Sequence, residues 1–143
     1  MLDTNVVLDW IAFDDPRVRG LVEAIEGGAL RVVTSGACLV ELRRALGYPQ
    51  VKLGPDTQAA AFERYETYAV RVDPPPGAVP DDMPRCEDPD DQKFLELAWH
   101  AGASHLITRD KALLKLAGRV ARLGRFRVMD PAAFDAGAGP QVR

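Results

Sequence analysis

Residues 88–114, DPDDQKFLELAWHAGASHLITRDKALL, place a helix, a strand and a second helix within a short span. Asp88 is a good N-cap, Pro89 suits the first helical position, and Asp91 follows in the first turn, where the helix dipole favours a carboxylate. Apolar residues at helical spacing come next, and the run SHLIT then predicts a buried strand. Asp110 begins the second helix. Helices and strands that alternate in this way are typical of an α/β domain built on a mostly parallel sheet.

The same alternation extends along the rest of the chain. We predict a very short strand at Met1–Asp3, with Asp3 capping a helix over Thr4–Phe13. The remaining elements follow from helix caps, glycines and prolines. They are a helix in 15–28 capped by Asp15, a strand in 29–35, a helix in 35–49, a helix in 56–70 capped by Asp56, a proline-rich loop at 73–90, a strand in 125–130 and a helix in 130–137.

Length and composition indicate one ordinary globular domain. With 143 residues and a net charge of −3, we expect a single domain at 1–136 and a C-terminal tail at 137–143. No apolar run approaches the ~20 residues of a membrane-spanning helix, and no secretory signal is apparent. We therefore expect a cytoplasmic protein without membrane contact. Cys38 and Cys86 are too few for a disulfide or metal framework, and we expect neither to do chemistry.

Acidic residues fall where the predicted strands give way to helices. In open parallel sheets, sites form at the carboxyl ends of the strands. Asp3 ends the first strand, Asp110 follows SHLIT, and Asp91 lies in the first turn of its helix on the same edge. Glu41, about two turns into its helix, has the reach to project over that edge. Crowded carboxylates repel one another, and a divalent cation such as Mg²⁺ or Mn²⁺ relieves that cost and can serve phosphodiester hydrolysis.

Each acid also has a purely structural interpretation. An N-cap or a favourable place near a helix dipole explains Asp3, Asp88, Asp91 and Asp110 equally well. Glu41 lies near the apolar side of its helix and could pair with Arg43 or Arg44 instead of a metal. Phosphatases with an aspartate nucleophile are disfavoured, because they need a second acid two residues further on and this chain has Asn5 there.

Four segments, LDTNVVLDWI, ACLVELRRAL, DPDDQKFLELAWHAGASHLITRDKALL and RVMDPAAF, occur in this order. Together they resemble a PIN domain, in particular the PIN toxins of bacterial toxin–antitoxin pairs. The resemblance covers nearly the whole chain and implies a three-layer α/β/α sandwich around a mostly parallel sheet. Members of that family usually carry a few more apolar residues before LDTN, so we expect the first strand to be shortened.

The resemblance also implies an activity, a metal-dependent endoribonuclease that cleaves single-stranded RNA with Mg²⁺ or Mn²⁺. Matched by motif, the catalytic and metal-binding residues are Asp3, Glu41, Asp91 and Asp110. Asp88 is a weaker metal candidate that would bind through water, while Asn5 and Thr108 match supporting polar positions. The alternative is a catalytically silent PIN-like module that binds RNA or protein.

Partners are expected from the same resemblance and from a basic strip. Four basic residues follow Asp110 at helical spacing and would face RNA phosphates, an acidic antitoxin segment or solvent alone, namely Lys111, Lys115, Arg119 and Arg122. PIN toxins are generally dimers, so we also expect a homodimer and an antitoxin protein. Possible interface residues, which core packing explains equally well, are Leu46, Tyr48, Tyr65 and Tyr68.

Overall fold

A computed structural model describes residues 1–75 and 79–137. Over these residues the α-helices are α1 (Thr4–Ile11), α2 (Arg19–Glu26), α3 (Gly36–Leu46), α4 (Pro55–Tyr68), α5 (Gln92–His100), α6 (Lys111–Leu114), α7 (Ala117–Arg122) and α8 (Pro131–Gly137). The strands are β1 (Val32–Thr34), β2 (Ala69–Arg71), β3 (His105–Ile107) and β4 (Arg127–Met129). None of these helices is long and apolar enough to cross a membrane. Residues 76–78 of the predicted loop and 138–143 of the predicted tail lie outside the described residues.

The strands pair in parallel, as predicted. β1 pairs with β2 and β3 pairs with β4, each over three residues. The predicted first strand is confirmed as a stub, since Leu2 forms one parallel bridge with Ile107. The Asp3 N–H donates to the Ile107 carbonyl (3.0 Å), and the Ile107 N–H donates to the Met1 carbonyl (2.9 Å). These two bonds fix Asp3 at the carboxyl end of β3.

Alternate strand residues face two different helix layers, because successive side chains of a strand point to opposite faces. Leu2, Val32 and Ile107 pack into a core with α1, α2, α3 and α4. Val33 and Leu106 pack into a second core with α5, α6 and α7. The predicted α/β class, with helices on both sides of the strands, is confirmed.

The helix starts follow the predicted caps in most places. Ser35 accepts from the Cys38 N–H at 3.2 Å at the start of α3, and Asp110 caps α6 in the same way. Asp15 and Asp88 instead cap the short 3₁₀ turns Pro16–Val18 and Pro89–Asp91, which precede α2 and α5. Asp3 holds the N-cap position of α1 with an extended backbone, but its side chain makes no capping hydrogen bond. That part of the prediction is wrong, because the carboxylate is engaged elsewhere.

Two predicted boundaries in the middle of the chain are wrong. The α4 helix begins at Pro55 with Gly54 in the N-cap position, so Asp56 lies in the first turn and does not cap the helix. The helix also ends at Tyr68, before the predicted residue 70. Ala69–Arg71 instead form β2, since pairing with the buried β1 favours an extended chain there.

A buried ion pair connects α1 to the turn after β3. Asp9 is 3% exposed, and both of its carboxylate oxygens accept from Arg109, at 2.7 Å from Nε and 2.9 Å from Nη2. Arg109 itself is partly exposed and directly precedes Asp110. The pair therefore holds the turn that carries Asp110 against the helix that follows Asp3.

Breaking this pair should destabilise the fold. Asp9→Asn leaves the Arg109 guanidinium without its charged, two-pronged partner, and we expect a loss of about 2 kcal/mol in the free energy of unfolding, measured by urea titration. Glu26→Gln is the matched control, since it removes the same charge from the more exposed Glu26–Arg64 pair. There we expect about 0.5 kcal/mol or less. Equal losses in the two variants would contradict a structural role for the buried pair.

Candidate active site

Asp3 is held at the carboxyl edge of the strands by Thr108. Asp3 is 5% exposed, and its Oδ2 accepts from the Thr108 hydroxyl at 2.6 Å. The same hydroxyl oxygen accepts from the Asp110 backbone N–H at 3.0 Å. Thr108 therefore joins the ends of two neighbouring strand segments and sets the spacing of Asp3 and Asp110.

Glu41 reaches the edge from α3, and both of its carboxylate oxygens have protein partners. The Lys93 ammonium donates to Oε1 at 2.6 Å, and the Thr4 hydroxyl donates to Oε2. Lys93 also donates to the Asp90 carbonyl. The predicted alternative partners of Glu41 were Arg43 and Arg44, and Lys93 of α5 takes that place instead.

Asp91 is the most perturbed carboxyl of the cluster. Burial raises its pKa to about 7, helped by a hydrogen bond with Asp110 and by the negative charges of Asp3, Asp88 and Asp110. The pKa of Asp3 is also raised, first by burial, with Asp110 and Glu41 adding to the rise and the Thr108 hydroxyl opposing it. The four predicted acids thus lie close enough to affect one another. Asp88, one turn before Asp91, adds to the same negative field.

The acids suit a divalent cation in chemical type, although their side chains are not arranged around one. Over residues 1–75 and 79–137, no group of three or more Asp, Glu, His or Cys side chains stands ready to hold a metal ion. Several of their oxygens have partners within the protein, Lys93 and Thr4 at Glu41 and the Thr108 hydroxyl at Asp3. Carboxylate oxygens are the ligands that Mg²⁺ and Mn²⁺ prefer, and a raised carboxyl pKa reports repulsion that a cation would relieve.

The other predicted site residues are dispersed. Asn5 is exposed in the first turn of α1, and its backbone N–H lies near enough to the Asp3 carboxylate to lower its pKa without making a capping hydrogen bond. The predicted basic helix is interrupted, because α6 ends at Leu114 and α7 begins at Ala117. The four basic residues therefore do not share one continuous helix. Lys115 is also paired with Glu87. Lys111, Arg119 and Arg122 are exposed.

The suggested interface residues also separate. Leu46 and Tyr65 are buried in the core around α1, so core packing accounts for them. Tyr68 packs partly against the same core, with its ring 5.7 Å from that of Trp10. Tyr48 is exposed and stays available as a surface residue.

Sequence reasoning missed two residues that contact Glu41. Thr4 directly follows Asp3, and a hydroxyl next to a crowded acid was a usable signal. Lys93 was visible as one of two bases, with Arg85, among the seven acids of residues 81–96. Nothing in the local sequence connects Lys93 to Glu41, which lies 52 residues earlier.

The raised pKa of Asp91 predicts a pH dependence of stability. The folded protein holds this proton up to about pH 7, whereas an ordinary Asp releases it near 3.8. Between those values the folded state binds more protons than the unfolded state, so stability of the metal-free protein should fall as pH rises. Asp91→Asn should flatten this slope and should stabilise the protein above pH 7 in urea unfolding. Asp81→Asn, an exposed acid of the loop, should retain the wild-type slope; a wild-type slope in Asp91→Asn would contradict the assignment.

Thr108 offers a second test of the site. Thr108→Val keeps the shape but removes the donor to Asp3 and the acceptor for the Asp110 N–H, so we expect a loss of about 1–3 kcal/mol in the free energy of unfolding. Thr108→Ser retains the hydroxyl and should lose clearly less. A loss in Thr108→Ser as large as that in Thr108→Val would contradict this assignment, because the serine variant keeps both hydrogen bonds and lacks only the methyl group.

The comparisons with known proteins agree with this geometry at the level of the family. A family model described as the PIN domain matches residues 1–112, which include all four acids of the edge. No curated protein and no solved structure matches the chain. A match over this share of the chain establishes its family: the chain belongs to the PIN domain family.

Proposed function

We propose that this protein is a metal-dependent endoribonuclease that cleaves single-stranded RNA. PIN domains are generally nucleases, so a nuclease-type fold is established, and the finer activity is the proposal. The observation that carries it is the meeting of Asp3, Glu41, Asp91 and Asp110 at one edge, with the pKa of Asp91 raised to about 7 by burial and its neighbours. Carboxyl groups with such pKa values cluster at functional sites.

The proposed roles follow from the contacts that hold each acid in place. Asp3, Glu41 and Asp91 would hold a Mg²⁺ or Mn²⁺ ion, with Asp110 completing that site or a second one. When bound, such an ion supplies positive charge for the developing phosphorane and makes a water molecule more acidic. Thr108 keeps Asp3 and Asp110 at a fixed spacing, and Thr4 orients Glu41. Asp88 would contribute through water, from one turn before Asp91.

The proposed RNA path runs over the basic residues beside Asp110. Lys111 lines a cavity of about 380 Å³ together with Arg17, Arg109 and Asp130. Arg17 and Arg109 are paired with aspartates, so Lys111 is the cation there that we assign to an RNA phosphate. Arg119 and Arg122, exposed on α7, would extend the path, and binding should weaken as salt rises.

The biological setting belongs to the same proposal. The likeness of the four motifs to those of PIN toxins supports a toxin role, and with it an antitoxin protein and a homodimer as partners. An RNA-cleaving toxin would act in the cytoplasm. An alternative function, a silent module that binds RNA or protein, is favoured by one observation, the ion pair that engages Glu41.

Metal-dependent cleavage tests the proposal directly. We expect purified protein to cleave a labelled single-stranded RNA with Mn²⁺ or Mg²⁺ and to stop when EDTA is added. Asp91→Asn should reduce the rate on the order of a hundredfold or more, since it removes a ligand from the reacting centre. Asp81→Asn should cleave at the wild-type rate.

The outcomes separate the two functions. Equal cleavage by Asp91→Asn and wild type would point to a contaminating nuclease and contradict the proposed site. No cleavage by folded, antitoxin-free protein, together with salt-sensitive binding of the same RNA, would favour the silent module. Circular dichroism of each variant distinguishes lost chemistry from lost folding.

A further inference from the structure

Lys93 places a positive charge inside the acid cluster. Its ammonium lies 2.6 Å from Glu41 Oε1, and the two side chains are 25% and 26% exposed. The other Glu41 oxygen accepts from Thr4, so both oxygens of this carboxylate have donors. Lys93 lies two residues after Asp91, which brings it to the edge from the first turn of α5.

We propose that Lys93 competes with the divalent cation for Glu41 and thereby sets the metal affinity of the site. This inference rests on the proposed function, because the cation is the one assigned there. An ion bound to Glu41 would sit about 2 Å from a carboxylate oxygen, next to an ammonium that already approaches the same oxygen. Two cations at that separation repel strongly, so Lys93 has to leave Glu41 as the ion binds.

The structure makes this exchange feasible for Lys93. A lysine ammonium is a compact, strongly hydrated charge on a flexible stem, and a quarter of this side chain is in contact with solvent. The Thr4 hydroxyl, by contrast, is neutral and can stay on its oxygen when an ion binds the other one. Lys93 thus acts as an exchangeable counter-ion that neutralises Glu41 in the metal-free protein.

The consequence is a lower metal affinity than the acids alone would give. Part of the binding free energy of the ion is used to displace Lys93 from Glu41. The site is therefore tuned by a residue that is itself no metal ligand. A purely structural ion pair, which would persist with the ion bound, predicts no gain in metal affinity that depends on Glu41.

A double-mutant cycle in Mn²⁺ affinity tests the inference without any measurement of cleavage. Metal-free full-length protein is titrated with Mn²⁺ by isothermal calorimetry in the wild type, Lys93→Met, Glu41→Gln and the double variant. We expect Lys93→Met to bind Mn²⁺ about fivefold more tightly, the fold-change that an ion pair of this exposure corresponds to. In the Glu41→Gln background the same change should give little or no gain.

Two controls address charge and folding. Lys52→Met removes the same charge from an exposed lysine of another loop and should leave the Mn²⁺ affinity unchanged. Lys93→Gln, which keeps a polar side chain, should give the same gain as Lys93→Met, so a folding defect in one variant does not remove the test.

Defined results overturn the inference. It fails if both Lys93 variants bind Mn²⁺ no more tightly than wild type, or if the gain persists undiminished with Glu41→Gln, which would indicate general electrostatics. Loss of cleavage in Asp91→Asn together with unchanged Mn²⁺ affinity in the Lys93 variants would uphold the proposed function and reject the role of Lys93. The expected double-mutant cycle in Mn²⁺ affinity, without any cleavage of RNA, would uphold the role of Lys93 and reject the proposed nuclease function.

Discussion

The repulsion among four carboxylates at one edge of the strands is the constraint that organises this protein. Parallel pairing brings Asp3 and Asp110 together, while α3 carries Glu41 and the turn before α5 carries Asp91 to the same edge. Such crowding costs stability, because charged groups are brought close to one another with little water between them. The protein offsets part of the cost with the Thr108 hydroxyl at Asp3 and with Lys93 at Glu41. A protein selected for stability alone would have little reason to assemble this edge.

The Asp9–Arg109 pair also helps to position the acids at this edge. A buried ion pair contributes little net stability compared with well-packed apolar side chains, because both charges lose their hydration. Its value here is positional, since the two hydrogen bonds from Arg109 fix the direction of the turn that leads into Asp110. Thr108 and Arg109 are consecutive residues of one turn. Thr108 donates a hydrogen bond to Asp3, and Arg109 pairs with Asp9 of α1. Two adjacent residues, Thr108 and Arg109, therefore hold the edge that carries the four acids, and their partners lie in the first strand segment and in α1.

Much of the fold could be predicted, because its signals are local. Caps such as Ser35 and Asp88 act within their own first turn, so the sequence around them contains the whole interaction. The β2 strand could not be predicted in this way, since Ala69–Arg71 continue a helical pattern and become extended through pairing with distant β1. The proximity of the acids could be predicted, because the ends of parallel strands share one edge. Their partners Lys93 and Thr4 were not predicted. Asp9 was not singled out in the sequence, although a charge within an apolar helix is a signal that a buried partner is needed. Nothing in the sequence identifies that partner as Arg109.

Glu41 shows why the same contact supports two different functions. A carboxylate permanently neutralised by lysine would suit a silent binding module, and one neutralised until a stronger cation arrives would suit a nuclease. The two functions are distinguished by whether the charges of the other three acids are also neutralised. Lys93 neutralises Glu41 but leaves Asp91 with a pKa raised to about 7 by burial and by the neighbouring acids. One monovalent ammonium is too little charge for four carboxylates, and the remaining repulsion is what a divalent ion would relieve. The incomplete neutralisation of the edge therefore favours the nuclease.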